Sequence, residues 1–277
     1  MGVRAGSPSP AELLQVAVEA VSAAGVVLRE GLGRPKQIEA KNERTSIVTR
    51  TDTTAQATIL QVIRAHYPEH GILAEEGSGA VTEAGDGEPT WLVDPLDGTS
   101  NFAHGIPFAC SSVGVRDTAG PVAGAIFEPF RGELFTAMRG GGAWLGDERL
   151  RVSDTTDLAR ALVCTGVQTD DPDAISDFAR RVEQLVLHAR GVRCIGSPAL
   201  CLAYIAAGRI DGFLERDSTY AWDFGAGALL VAEAGGRVED LDGGPLNLGP
   251  GVANVLATNG AIHDELADLV RAGTRRK

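Results

Sequence analysis

The segment Trp91-Leu92-Val93-Asp94-Pro95-Leu96-Asp97-Gly98-Thr99-Ser100-Asn101-Phe102 holds the densest set of chemically useful groups in the chain. An apolar run delivers two carboxylates, Asp94 and Asp97, into a turn stiffened by Pro95. Hard divalent cations such as Mg²⁺ take anionic oxygen ligands, usually one or two carboxylates each. The carbonyl of Leu96 can point at the same ion, and Gly98 lets the backbone come close to a ligand. Residues 99–102 are expected to open a short helix whose free N–H groups face an anion. Cation ligands and a phosphate cradle would then share one loop. A plain turn with an aspartate cap accounts for one of the two acids, not both.

Two weaker acidic points flank this segment. Glu75-Glu76 ends a short apolar run, where adjacent side chains on a strand point to opposite faces. One could reach a cation while the other meets solvent or a basic partner. Trp222-Asp223 opens an apolar helix containing Gly225 and Gly227. Asp223 could be a simple cap, but the glycines beside it imply close packing against another element. The histidines suit catalysis less well. His66 and His70 are expected at the surface, as is His104, for which a place lining the site entrance is the lesser alternative.

These groups need a scaffold, and the chain is long enough to supply one. It has 277 residues, 44% of them hydrophobic, enough for a sizeable core in one domain or two lobes. A net charge of −12 disfavours general binding to nucleic acid or anionic membranes. No apolar run of spanning length or signal-peptide type is evident. Cys110, Cys164, Cys194 and Cys201 form no C-x-x-C pair, and buried reduced thiols in a cytoplasmic protein are expected.

Helical periodicity runs from Ser9-Pro10 to about Gly31, and a second helix, capped by Asp52, stops before Pro68. Strands are predicted at 37–41, 72–74 and 91–93, then an antiparallel meander at 111–115, 122–127 and 133–138. From about residue 160 strands and helices alternate: strands at 161–164, 192–195, 210–214, 238–241 and 255–258, helices at 173–188, 198–207, 222–234 and 263–271. The change of texture predicts an N-terminal α+β lobe, 1–150, and a C-terminal α/β lobe, 151–277.

Glu75-Glu76, the Asp94–Phe102 motif and Trp222-Asp223-Phe224-Gly225-Ala226-Gly227, in this order and separation, resemble the inositol monophosphatase family of Mg²⁺-dependent, Li⁺-sensitive phosphatases. The likeness runs from about Lys41 to the last helix. It implies a mixed α/β fold, the layered αβαβα sandwich of the inositol monophosphatase and fructose-1,6-bisphosphatase type. It also implies a homodimer and inhibition by Li⁺. By this resemblance Glu75, Asp94 and the carbonyl of Leu96 would hold one Mg²⁺. Asp94, Asp97 and Asp223 would hold a second, and Glu75 would help hold a third through water. Asp52, after Val48-Thr49, would support that water network, and Thr99 would orient or deprotonate the attacking water. The amides of Gly98 and Thr99 would hold the phosphate, with Glu76 standing behind Glu75. The chemistry is consistent: phosphate monoesters hydrolyse so slowly unaided that strong charge stabilisation is required.

The resemblance says less about the substrate. Gly196-Ser197-Pro198-Ala199 matches a substrate-contacting loop, with Pro198 where the family usually has alanine. The family's hydroxyl-binding glutamate falls at Arg216, with Glu215 one step earlier. A one-residue slip would give that role to Glu215. Otherwise Arg216 faces an anionic substrate group or solvent. Ser46 stands where the family often has another acid, and Lys41 matches a lysine near the metals. A small phosphorylated metabolite is therefore expected, inositol monophosphate or a related polyol phosphate first and histidinol phosphate second. Fructose 1,6-bisphosphate, 3′-phosphoadenosine phosphates and NADP remain alternatives. A different class is a protein that binds the transcription machinery, for which only the basic tail 275–277 speaks.

Overall fold

A computed structural model describes residues 8–34, 38–40, 47–77, 81–82, 84–85 and 87–273. Lys41, Ser46 and the basic tail lie outside the described residues. Helix α1 (Pro10–Gly31) starts at Ser9, whose hydroxyl accepts Glu12 N while Glu12 Oε2 accepts Ser9 N at 2.8 Å. Strand β1 (Ile38–Ala40) pairs antiparallel with β2 (Ile47–Thr49), which leads straight into α2 (Arg50–His66). The cap of α2 is Thr49 rather than Asp52. Asp52 sits three residues later and closes the reciprocal bond by accepting Thr49 N at 2.8 Å.

Then come β3 (Gly71–Ala74), β4 (Val81–Thr82), β5 (Thr90–Asp97) and the short helix α3 (Thr99–Ala103). The meander follows as β6 (Cys110–Asp117), β7 (Gly120–Glu128), β8 (Glu133–Met138), β9 (Gly142–Leu145) and β10 (Glu148–Arg149). Together they make an eight-stranded sheet, ordered β10-β9-β8-β7-β6-β5-β3-β4, with only β3 and β5 parallel.

The remainder is β11 (Leu162–Thr165), α4 (Pro172–His188), β12 (Gly191–Arg193), α5 (Pro198–Ala206), β13 (Gly212–Tyr220), α6 (Ala221–Glu233), β14 (Arg237–Glu239), β15 (Val252–Thr258) and α7 (His263–Gly273). Its five strands form a second sheet in the order β12-β11-β13-β15-β14. Helices α1 and α2 cover one face of the first sheet, α5 and α6 lie between the sheets, and α4 and α7 pack together outside the second. This is the αβαβα layering expected.

The middle layer fits because its contact surfaces are nearly bare. A Cβ on Gly225 would stand 2.4 Å from Leu92 Cδ1, and one on Gly114 of β6 would stand 2.9 Å from Ala226 N. Gly225, two residues after Asp223, and Gly114 opposite therefore let α6 sit close against the sheet that carries Asp94 and Asp97, while Gly227 lets it sit close to Leu202 of α5.

Several expectations need correction. Helix α1 is long and apolar enough, by length and composition, to cross a membrane. Its apolar face is instead buried: Leu13, Val16, Ala17, Ala20, Val21, Ala24 and Leu28 join the core beneath β6 and β7. His70 is buried, stacked on Tyr67 with its Nδ1 accepting Trp91 Nε1 at 3.0 Å, whereas His66 is half-exposed. Cys110, Cys164 and Cys201 are buried, but Cys194 is exposed. Strand β13 runs on to Tyr220, well past residue 214, because its polar second half still pairs with β15 across a bulge.

Candidate active site

Strand β5 is buried almost to its end, leaving Asp94 1% and Asp97 5% exposed. Side chains three apart on a regular strand point to opposite faces. Here Asp94 faces Ser112 and Asp97 faces Cys110, so three steps on β5 match two on β6. That extra residue is a bulge, and it turns both carboxylates toward the same space. Gly98 follows at φ 89°, a left-handed conformation suited to glycine, and a Cβ there would meet Phe108 O at 2.9 Å. The chain then enters α3.

The space is a cavity of about 540 Å³, lined by Glu75, Asp94, Leu96, Asp97, Gly98 and Thr99 from the first sheet's end. Ser197, Glu215 and, beside the first set of acids, Asp223 of α6 line it as well. Three distant stretches of chain thus bring four acids, Glu75, Asp94, Asp97 and Asp223, to one wall. Asp223, three residues after the cap Tyr220, accepts Tyr220 N at 2.6 Å through Oδ2, and still reaches the cavity.

Asp94 and Asp97 are also held by the fold. Asp94 Oδ1 accepts Leu96 N at 3.0 Å. Asp97 Oδ2 accepts Ser197 Oγ at 2.5 Å and Ala199 N, at the start of α5, at 2.7 Å. Ser197 is 1% exposed, so its hydroxyl is committed to Asp97 and to capping α5 rather than offered freely to a ligand. Asp52 is fully buried and does not line the cavity. It sits behind Thr99, whose Oγ1 is 2.9 Å from Asp52 Oδ1 and 2.9 Å from Leu96 O. One hydroxyl proton can serve only one of those acceptors at a time.

Crowding raises the cost of ionising these acids. Burial, then the charges of Glu75, Asp97 and Asp223, push Asp94 well above the usual carboxylate range. Burial, then Glu75 and Asp97, do the same to Asp223. Burial lifts Asp97 to about 7 despite the bonds from Ser197 and Ala199. Asp52 is raised by burial, which outweighs its bonds from Thr49 and Thr99. Among the described residues no lysine or arginine lines the cavity to relieve this repulsion. Carboxylates and a carbonyl oxygen are the donors a hard cation takes, so the set fits Mg²⁺ by chemistry. Among the described residues no three acidic, histidine or cysteine groups already stand as a finished cage. The carboxylates would have to draw in around an ion.

The substrate side resolves the ambiguity at residues 215 and 216. Strand β13 bulges between Glu215 and Thr219, with Asp217 at φ 63°. The bulge aims Glu215 and Ser218 at the cavity, and Ser218 Oγ donates to Glu215 Oε1 at 2.7 Å. Gly166 makes room, since a Cβ there would lie 2.8 Å from Glu215 Oε2. Burial, partly offset by Ser218 and Arg181, lifts Glu215 to about 7. Arg216 does not line the cavity; its guanidinium pairs with Asp242, Nη1 to Oδ2 at 3.1 Å. Glu76 is buried, its backbone N donating to Gln56 Oε1 at 2.9 Å.

Other lining residues escape the sequence reading or, like His104, are only its lesser alternative. His104 and Cys194, expected on the surface and in the core respectively, border the cavity. Phe178 of α4 and Gln168 before it complete the far wall. Phe178 is the only phenylalanine, tyrosine or tryptophan of α4, which is the one signal that marks it.

Comparison with known proteins agrees with this fold. The model of the inositol monophosphatase family matches residues 9–275. Inositol monophosphatase 2 of Solanum lycopersicum is 41% identical, over 91% of this chain and 96% of its own. The Nus factor SuhB of Pasteurella multocida is 40% identical, over 84% and 86% respectively. A solved inositol monophosphatase of Anabaena (Nostoc) superposes with a TM-score of 0.82 at 38% identity, covering 94% of this chain and 95% of that one. The protein is a phosphoric monoester hydrolase. The chain belongs to the inositol monophosphatase family.

Proposed function

We propose that this enzyme hydrolyses a small phosphate monoester in a Mg²⁺-dependent reaction, with inositol monophosphate or a related polyol phosphate as substrate. The observation that carries this is the meeting of Glu75, Asp94, Asp97 and Asp223 on one wall of a cavity that also holds Gly98, Thr99 and Glu215. In this reading Glu75, Asp94 and the Leu96 carbonyl hold one ion, Asp94, Asp97 and Asp223 a second, and Glu75 assists a third through water. Bound Mg²⁺ supplies positive charge against the phosphate and lowers the pKa of water. Thr99, backed by Asp52, holds the attacking water and receives or relays its proton. The amides of Gly98 and Thr99 steady the phosphate, and Ser197 fixes Asp97. Glu215, oriented by Ser218, accepts hydrogen bonds from the leaving group's hydroxyls.

Substrates with one phosphate suit this cavity better than fructose 1,6-bisphosphate, 3′-phosphoadenosine phosphates or NADP. Among the described residues no lysine or arginine lines it to receive a second phosphate. Histidinol phosphate stays the runner-up, because a cationic leaving group is compatible with Glu215. The enzyme works as a cytoplasmic homodimer, its residues 1–150 supplying the metal turn and 151–277 supplying Asp223 and the substrate wall. Phosphate release from a panel of monoesters, with and without Mg²⁺, tests the activity, the metal requirement and the substrate class. Release without Mg²⁺, or none from any monoester, would overturn it.

Relatives named Nus factor favour a second reading, in which the protein also binds the transcription machinery. Tight binding to RNA polymerase or its RNA by a chain that releases no phosphate would make that reading the primary one.

A further inference from the structure

The motif residue Asn101 has no part in the chemistry described so far, yet its side chain joins three segments that border the cavity. It lies on α3, two residues after Thr99. Its Nδ2 donates to Phe108 O at 3.0 Å and to Ile195 O at 2.8 Å, with Gly196 O a marginal third acceptor at 3.5 Å. Its backbone carbonyl accepts Ile106 N at 2.9 Å, closing the loop that carries His104. The Ile195 end of this link enters the Ser197–Pro198 turn from the other side of the cavity. Gly196 is at φ 75°, and a Cβ on it would meet Asn101 Nδ2 at 3.3 Å, so the turn is shaped around the amide. The same turn supplies Ser197 Oγ and Ala199 N to Asp97.

Two ties therefore bind the first sheet's active turn to the 195–199 segment. One runs through Asp97 and depends on a carboxylate. The other runs through Asn101, is neutral, and spends one amide proton on Ile195 O while the second goes to Phe108 O. A neutral donor pair facing carbonyl oxygens keeps its geometry whatever the charge state of the acids.

We infer that Asn101 is a positioning residue for phosphate: it fastens the Gly98–Thr99 turn to the 195–199 segment and so sets where the phosphate is held. This rests on the proposed phosphatase reading and adds to it the residue that locates the cradle. Asp94 is held within its own strand by Leu96 N, and Asp97 keeps its own bonds from Ser197 and Ala199, so cation binding should depend on this amide much less than phosphate binding does.

The test is Asn101→Asp, which keeps the shape and replaces donors by acceptors, beside Asn101→Gln, which keeps the donors on a longer arm. Measurements are KM and kcat for inositol 1-phosphate, competitive inhibition by inorganic phosphate, and the rise in melting temperature on adding Mg²⁺. Asn101→Asp is expected to weaken phosphate inhibition and kcat/KM by about tenfold or more, corresponding to about 1.4 kcal/mol, with Asn101→Gln recovering part of the loss. The Mg²⁺-induced rise in melting temperature should stay near that of the unmodified enzyme. Hydrogen exchange should quicken in 98–108 and 195–199 alone. Unchanged phosphate inhibition in Asn101→Asp would overturn the inference, as would equal damage in both variants with the Mg²⁺ response lost. If the unmodified enzyme itself neither hydrolyses monoesters nor is inhibited by phosphate, the phosphatase reading fails instead.

Discussion

Asp94 and Asp97 are each fully enclosed, mutually repelling and without a described basic neighbour at the cavity. Such groups are held for chemistry at the expense of stability. Asp94→Asn and Asp97→Asn should therefore raise the melting temperature of the metal-free protein. Each should also abolish most of its Mg²⁺ response and cut phosphate release by about 100-fold or more, since a ligand to a catalytic cation supplies several kcal/mol. Calorimetry without metal and a phosphate assay check the pair; a destabilised metal-free variant would contradict the account. At the neighbouring substrate wall, Glu215→Gln should raise KM for inositol 1-phosphate about tenfold, the worth of one hydrogen bond to a charged group. Arg216→Ala should leave KM within about twofold, because its partner is the exposed Asp242. Steady-state kinetics on the two variants separate them.

Elements place these residues through two bulges and one glycine-lined contact. The bulge in β5 brings two aspartates to one face, and the bulge in β13 exposes Glu215 and Ser218 together. Helix α6 reaches the same wall because Gly225 lets it sit against Leu92. Gly225→Ala would force a methyl group to within 2.4 Å of Leu92 Cδ1 unless the helix or Leu92 moves. Overpacking of this kind costs about 1–3 kcal/mol. The variant should melt several degrees lower, and it should lose activity beyond its loss of folded protein because Asp223 lies two residues away. Full specific activity in the folded fraction would show that α6 need not sit so close.

The whole molecule inherits a pH dependence from its acids. Asp97 and Glu215 stand at about 7 when folded, against the lower values of exposed carboxyls. Between about pH 4 and 7 the folded, metal-free protein keeps protons that the unfolded chain has released. Its stability is therefore greatest at the acid end of that window and declines as the pH rises through it. Magnesium should reverse the decline, so the gain in melting temperature on adding Mg²⁺ should be larger at pH 7.5 than at pH 5. Thermal melts over that range, with Mg²⁺ or with a chelator, measure it. A metal-free protein that grows more stable toward pH 7 would show that these carboxyls do not dominate.

Much of this was legible in the sequence for local reasons. Helical periodicity, the Ser9-Pro10 start and apolar runs ended by glycine or proline mark α1, α2 and the meander, and each depends only on residues near in the chain. The Asp94–Phe102 motif is likewise local, and its residue types alone announced a cation and a phosphate. Short edge strands such as β4 and β10 carry too few residues for a periodic signal. What only the tertiary structure decided was direction. Glu215 rather than Arg216 faces the cavity because β13 bulges where it pairs with β15, and Thr49 rather than Asp52 caps α2. Phe178 and Cys194 became wall residues, and Ser197 turned to Asp97, because of where distant elements landed. Periodicity reports which residues are buried; which partner a buried group meets is set by contacts between segments far apart in the chain.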